Sequence, residues 1–183
     1  MTKSNAQKLL DQYVKSDWLK KHSIATAAVM EGLAERLDHD TEEWWITGLI
    51  HDLDFDLTPA PAAHGLKAAE ILKGLGEKEE LINAVMAHNA EGLGIERNST
   101  LDYALSCGES ITGLIVTTAL VMPDKKLASV KVSSVVKRMK KKDFARKVSR
   151  ESIRLCEKIG LSVEELAEIA VKAMQGVSTE LGL

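Results

Sequence analysis

The sequence predicts an all-α protein made of a single domain. Its 183 residues and 45% hydrophobic content are enough to bury one substantial core. Apolar residues recur every three to four positions, as in amphipathic helices. Strand signals are weak, because aromatic residues make up 4% of the chain and no Asn-Gly or Asp-Gly hairpin turn is present.

Periodicity, caps and breakers predict the helices in order. Acidic residues after Asp40 suit a helix start, two prolines at 59 and 61 indicate a loop, and Ser162 with Glu165 forms a capping box. The expected helices span residues 5–14, 22–37, 44–53, 64–72, 77–88, 100–122, 132–139, 143–148, 150–159 and 163–181. We expect a core region over about residues 20–122, followed by basic and C-terminal helices over 124–183.

Several protein classes are disfavoured by what the sequence contains. The first 21 residues are polar every few positions, unlike a secretory signal, and no apolar run approaches the ~18–20 residues that cross a bilayer. The two cysteines, Cys107 and Cys156, lack CxxC spacing, so we expect them to be reduced and structural. These features predict a cytoplasmic protein without a membrane partner.

A basic segment covers residues 124–150, with eleven Lys or Arg residues against two Asp in a chain whose net charge is -3. Its lysines Lys125, Lys126 and Lys131 are candidates for binding the non-reacting phosphates of a substrate, where Lys acts as a point charge. The alternative is a solvated helical face whose long side chains cover apolar surface, and this alternative is at least as common.

Histidines and acids suggest a metal site. His51 and Asp52 adjoin each other after the apolar stretch Gly48-Leu49-Ile50, which would place them at the floor of a pocket. Imidazole nitrogen with carboxylate oxygen suits a divalent transition ion better than calcium. Taken alone the pair is weak, because a histidine capped by its neighbouring aspartate is the commoner explanation.

Glu109 strengthens the metal interpretation. It lies among small and apolar residues within 104–113, where an ionised group needs a cation or a hydrogen-bond partner to offset its desolvation.

The order of His22, the His51-Asp52 pair and a late acid resembles the HD-domain phosphohydrolases, and is closest to small stand-alone HDIG-type members. The likeness runs from His22 to about Gly176. Two departures are Glu109 in place of the family's Asp, and HDLDF in place of HDIGK.

This resemblance implies an HD-domain helical bundle with additional C-terminal helices. It implies a divalent metal held by His22, His51, Asp52 and Glu109, and a second one if His64 and His88 act as the extra histidines of two-metal relatives. Asp52 would then bridge the ions. Their identity is open among Mn, Fe, Co, Ni, Zn and Mg. The structural alternatives are a helix-start position for His64 and a solvated helix end for His88.

The function predicted is metal-assisted hydrolysis of a phosphate ester or anhydride, in a nucleotide or nucleotide-like small molecule. Asp52 and Asp54 are the candidate catalytic acids; Asp54 could accept a proton from water or orient a histidine. Asp56 and His39 are expected to be solvated loop residues. Thr112 could face the pocket, although back-bonding to a carbonyl is more common for a helical threonine.

Two other functions compete with hydrolysis. A non-catalytic HD-type signalling or scaffold module is the main alternative, but such a module is expected to lack metal ligands. A nucleic-acid-binding protein using residues 124–150 ranks third, because Phe144 is the only aromatic residue in that segment.

Overall fold

The computed structural model describes residues 1–58 and 61–183, and within these residues every regular element is a helix and no strand is present. The all-α prediction is therefore confirmed, while Pro59 and Ala60 of the predicted loop lie outside the described residues. The helices are α1 (Lys3–Tyr13), α2 (Asp17–Leu37), α3 (Thr41–Ile50), α4 (Leu66–Gly74), α5 (Glu79–Ala87), α6 (Ala90–Leu93), α7 (Thr100–Leu120), α8 (Val132–Met139), α9 (Arg150–Arg154), α10 (Val163–Gly176) and α11 (Ser178–Leu181). Short 3-10 helices cover Pro61–Ala63, Leu127–Ser129 and Leu155–Ile159.

Helix α2 lies at the centre of the fold and packs against α3, α7 and α10. It separates two apolar cores. The N-terminal core joins α1, α3, α4 and α5 through residues such as Leu10, Leu49 and Leu72. The C-terminal core joins α2 and α7 to the helices after residue 124, so the basic and C-terminal region shares a core with the centre of the chain.

Several helix ends agree with the sequence-based expectation. The side chain of Asp40 accepts a hydrogen bond from the Glu43 N–H at the start of α3. The predicted capping box between Ser162 and Glu165 is present at the start of α10. Gly160 adopts the left-handed conformation, with φ of 77°, before that helix. Local side-chain chemistry is sufficient to set these ends.

Two expectations were wrong because tertiary contacts override local pattern. Helix α2 begins at Asp17, so His22 lies in the second turn and not the first. Asp56 supports this earlier start: its carboxylate accepts hydrogen bonds from the backbone N–H groups of Lys15 and Ser16. Residues 143–148 form turns in place of a helix, and the Arg150 guanidinium donates to carbonyl oxygens along this segment.

A close approach of α2 and α3 depends on Gly48. A Cβ atom at this position would lie 2.9 Å from each of three neighbours: the Ala27 Cα, the Met30 Cγ and the Thr26 carbonyl oxygen. Two of these are backbone atoms that cannot move independently. Only a glycine therefore allows the two helices to pack this closely, at a position in α3 three residues before His51.

No helix in the described part of the chain combines the length and the apolar character that a membrane crossing requires.

We expect Gly48→Ala to lower the free energy of unfolding by about 1–3 kcal/mol, because the added methyl group forces a backbone shift. Gly74→Ala is a matched control: Gly74 ends α4 and a Cβ there would meet nothing within 4 Å. That variant should be neutral or stabilised by up to ~1 kcal/mol. Urea unfolding of both variants measures the difference, and equal midpoints would contradict the packing argument.

Candidate metal centre

The side chain of Asp52 lies at the middle of the candidate site, directly after the end of α3. Four imidazole Nε2 atoms surround its carboxylate. Oδ2 lies 3.7 Å from Nε2 of His22 and 3.4 Å from Nε2 of His51. Oδ1 lies 2.7 Å from Nε2 of His64 and 3.4 Å from Nε2 of His88. Each carboxylate oxygen thus faces one pair of histidines.

The Oδ2 side of the site draws its groups from α2, the end of α3 and α7. His51 is fully buried, and its Nε2 atom has no hydrogen-bond partner among the described residues. Glu109 lies in the middle of α7, with its Oε2 3.9 Å from Nε2 of His22. One ligand atom from each of His22, His51 and Asp52 lies within 4.8 Å of the other two, close enough for the three to hold one metal ion. Glu109 lies beside this group, with its carboxylate facing His22.

The Oδ1 side is formed by His64, just before α4, and His88, at the end of α5. Their Nε2 atoms lie only 2.9 Å apart, and both face Oδ1 of Asp52. Ligand atoms of Asp52, His64 and His88 form the second group with metal-binding spacing. The structure therefore places five of the six sequence-predicted ligands in two sets that share Asp52, with Glu109 beside the Oδ2 set.

The Nδ1 atoms of the four imidazoles all point away from Asp52, toward oxygen atoms. In His51 and His88, Nδ1 contacts the carbonyl oxygens of Gly48 and Val85, each three residues earlier in the chain. The partner of His22 is the Thr112 hydroxyl at 3.2 Å, and that of His64 is Oδ1 of Asp54 at 2.7 Å. With Nδ1 facing these oxygens, each ring directs its Nε2 atom at the site.

Asp54 is fully buried behind His64, and both of its oxygens are occupied. Oδ1 faces His64, while Oδ2 accepts hydrogen bonds from the backbone N–H groups of Gly65, Lys67 and Ala68. Asp54 thus holds the first turn of α4 as well as the imidazole. Of the two roles considered for Asp54, this geometry agrees with orienting a histidine and offers no free oxygen to accept a proton from water.

The electrostatics of the site follow from burial and charge. Burial lowers the pKa of His51 to about 3, so its imidazole is neutral at pH 7. Burial alone would raise the pKa of Asp52, but attraction to His51 and the His64 hydrogen bond hold it well below its usual range. Burial raises the pKa of Glu109, and the nearby His22 opposes this rise. Asp52 is therefore a buried anion at pH 7.

His64 behaves differently from His51. Burial disfavours its charged form, but hydrogen bonding to Asp52 and Asp54 outweighs that effect and raises the pKa of His64 to about 9. In the metal-free protein a protonated His64 thus lies between the two carboxylates, with one ring nitrogen facing each.

The residues fit divalent metal ions. Neutral imidazole nitrogens and carboxylate oxygens are the donors that borderline transition ions prefer. The unpartnered Nε2 of buried His51, and the facing Nε2 atoms of His64 and His88, are arrangements that a cation would stabilise. Among the described residues, no Lys or Arg forms an ion pair with Asp52, Asp54 or Glu109.

Three polar residues support the candidate ligands: Thr112, which the sequence analysis considered, and Asn89 and Arg97, which it did not. Thr112 both donates to the Glu109 carbonyl and contacts His22, so the two roles weighed for it coexist. The Asn89 amide donates to the backbone oxygen of His64, and Arg97 donates to that of His88. A polar side chain that donates to the backbone of a candidate metal-binding residue has no characteristic spacing from it in the sequence, because the fold brings the two together.

The basic lysines lie apart from this centre. Helix α7 continues for 11 residues beyond Glu109 before it ends at Leu120, which is about 16 Å at 1.5 Å per residue. Lys125, Lys126 and Lys131 follow that end and are exposed. His39 is also outside the site, stacked on Trp44 with ring centroids 4.7 Å apart.

A helical bundle that brings His and Asp side chains to metal-binding spacing points to a metal-binding domain, and sequence comparison specifies its class. The HD domain profile matches residues 19–118, more than half of the chain. The chain therefore belongs to the HD domain family, as its motifs indicated. Members of this family bind divalent metals and form a superfamily of metal-dependent phosphohydrolases.

Curated relatives are proteins named ribonuclease Y. The one from Cutibacterium acnes is 30% identical over 93 residues, covering 50% of this chain and 17% of that protein. Those from Fusobacterium nucleatum and Thermosipho melanesiensis are 35% and 38% identical over 71 residues, covering 38% of this chain and 14% of each protein. The match thus spans less than a fifth of these relatives. No solved structure gives a significant match.

Metal binding should release protons, because a ligand nitrogen must be unprotonated. His64 holds its proton up to about pH 9 in the metal-free protein. We expect metal binding at pH 7 to release about one proton, and the affinity to rise with pH until it levels off near pH 9. Calorimetry in buffers of different ionisation enthalpy measures this release.

His64→Gln should abolish the proton release, whereas His39→Gln, which changes an exposed histidine, should retain it. Proton release that is unchanged in His64→Gln would show that another group titrates.

Proposed function

We propose that this protein is a dinuclear metal-dependent phosphohydrolase that cleaves a phosphate ester or anhydride of a nucleotide or nucleotide-like molecule. The observation that carries the proposal is the carboxylate of Asp52, with a different pair of imidazole Nε2 atoms facing each of its two oxygens. Two ligand sets that share one acid are the arrangement expected of a bridged two-metal site.

The chemistry assigned to each residue follows from its contacts. Asp52 would bridge, while His22 and His51 would bind on the Oδ2 side and His64 and His88 on the Oδ1 side. Divalent ions held there would acidify a water and balance the charge that develops on phosphoryl oxygens. We assign Asp54 a positioning role, because its contact with His64 Nδ1 fixes the orientation of that ring.

Glu109 is the most exposed acid of the site, with 24% of its side chain accessible. Ser110 donates a hydrogen bond to Oε1, and Oε2 faces His22. Glutamate is one methylene longer than the family's aspartate, so its carboxylate can reach the His22 side from a backbone further away. We therefore propose Glu109 as a ligand on the Oδ2 side.

The substrate class is the more specific part of the proposal. A phosphorylated small molecule suits a centre that is reached between α2 and α7. Lys125, Lys126 and Lys131 remain candidate contacts for the distal phosphates of an extended substrate. The relatives named ribonuclease Y make an RNA phosphodiester the second candidate, which the basic segment 124–150 would favour.

The HD pair provides the most direct test. His51→Ala and Asp52→Ala should remove bound metal and abolish hydrolysis in a panel of nucleotides, cyclic nucleotides and short RNA, while the circular dichroism stays helical. His39→Ala serves as the matched control because this histidine is exposed. Metal content equal to that of the parent in both HD variants, by elemental analysis, would end the metalloenzyme proposal. A metal-loaded parent that is inactive on every substrate would favour the scaffold alternative.

A second test separates one ion from two. We expect His64→Ala and His88→Ala each to reduce the metal content from about two ions to about one per chain and to slow hydrolysis by ~10–100-fold. A mononuclear site on the Oδ2 side predicts no loss of metal from either variant. Elemental analysis of the purified, metal-reconstituted proteins distinguishes these outcomes.

A further inference from the structure

A mainly apolar groove opens next to the metal centre, between α2, α7 and the C-terminal residues. Its volume is about 370 Å³, which lies within the range of small-molecule sites. The apolar lining includes Trp18, Ala25, Val116, Leu181 and Leu183.

The groove is continuous with the metal centre along both helices. His22 and Thr112, which contact each other beside Asp52 and Glu109, also line the groove. From His22 the groove extends one turn back along α2 to Trp18. From Glu109 it extends one to two turns along α7, to Gly113 and Val116. One helical turn is about 5.4 Å, so the apolar lining begins within one turn of the ligands.

Trp18 offers an aromatic surface at the mouth of this groove. Its side chain is 59% exposed and meets Phe55 edge to face, with ring centroids 5.5 Å apart. Phe55 in turn lies against the His64 ring at 5.2 Å. The two exposed aromatic residues thus lie beside the candidate metal centre. Exposed aromatic side chains forgo the stabilisation that burial would give, so a ligand that covered them would gain it.

We propose that this groove binds the planar nucleobase of a nucleoside monophosphate whose phosphate lies at the metal centre. The proposal rests on the proposed function and specifies its substrate. A flat, weakly polar group matches the apolar lining and can stack on Trp18. The phosphate matches the cationic site that metal ions would create at the other end. A substrate made only of phosphate and a small polyol would leave the groove unused.

The test compares Trp18→Ala and Val116→Gln with Val121→Gln. Val121 serves as a control because it is a valine at the end of α7 that does not line the groove; it is exposed, whereas Val116 is half-buried. We expect both groove variants to raise KM for nucleoside 5′-monophosphates about tenfold with kcat nearly unchanged, since base stacking contributes uniform binding. Val121→Gln should match the parent. KM for glycerol 3-phosphate should be unaffected in all three.

Binding is measured separately from hydrolysis. In NMR titrations with adenosine and uridine, which carry no phosphate, the amides of Gly113 and Val116 should shift in the parent but not in Val116→Gln.

Shifts without any hydrolysis would support the groove while contradicting the proposed function. Hydrolysis with equal KM in the groove variants and Val121→Gln would refute the groove. A change of oligomeric state in Val116→Gln, measured by sedimentation, would instead identify a subunit interface and also overturn the proposal.

Discussion

The buried carboxylate of Asp52 is the constraint on which the site depends. An ionised acid removed from water must be compensated, and in the metal-free protein the hydrogen bond from His64 to Oδ1 contributes to that compensation, while the imidazoles of His22, His51 and His88 also face the acid. Each imidazole is itself fixed through Nδ1 by an oxygen behind it. The arrangement holds the four Nε2 atoms around one acid before any cation binds. Such preorganisation reduces the cost of assembling a metal site.

The packing of α2 against α3 determines where that acid lies. Gly48 lets the two helices approach closely, and its carbonyl oxygen also contacts Nδ1 of His51. A single residue therefore couples the helix spacing to the orientation of a ligand. The same close approach brings His22, on α2, to the Oδ2 side of Asp52. Changes in this contact are expected to affect both stability and metal affinity.

The helices after residue 124 support the candidate metal centre indirectly, by packing against α2 and α7. They share the C-terminal core with α2 and α7, so they hold the two helices that carry His22 and Glu109. They also form part of the apolar groove through Leu181 and Leu183. The basic loop of 143–148 packs its Val148 side chain near Gly113, one turn beyond Glu109. This region therefore contributes to the surroundings of the site without supplying a ligand.

The sequence by itself determined the helical class and many helix ends, because helical periodicity and caps are local features, and its resemblance to the HD-domain family named the candidate ligands. The structure decided how those ligands divide. Nothing in the spacing of His64 and His88 shows that they face Oδ1, or that Asp54 stands behind His64 with both oxygens occupied. The early start of α2 also depends on Asp56, about 40 residues away. Such contacts are set by packing between distant segments, which no local pattern records.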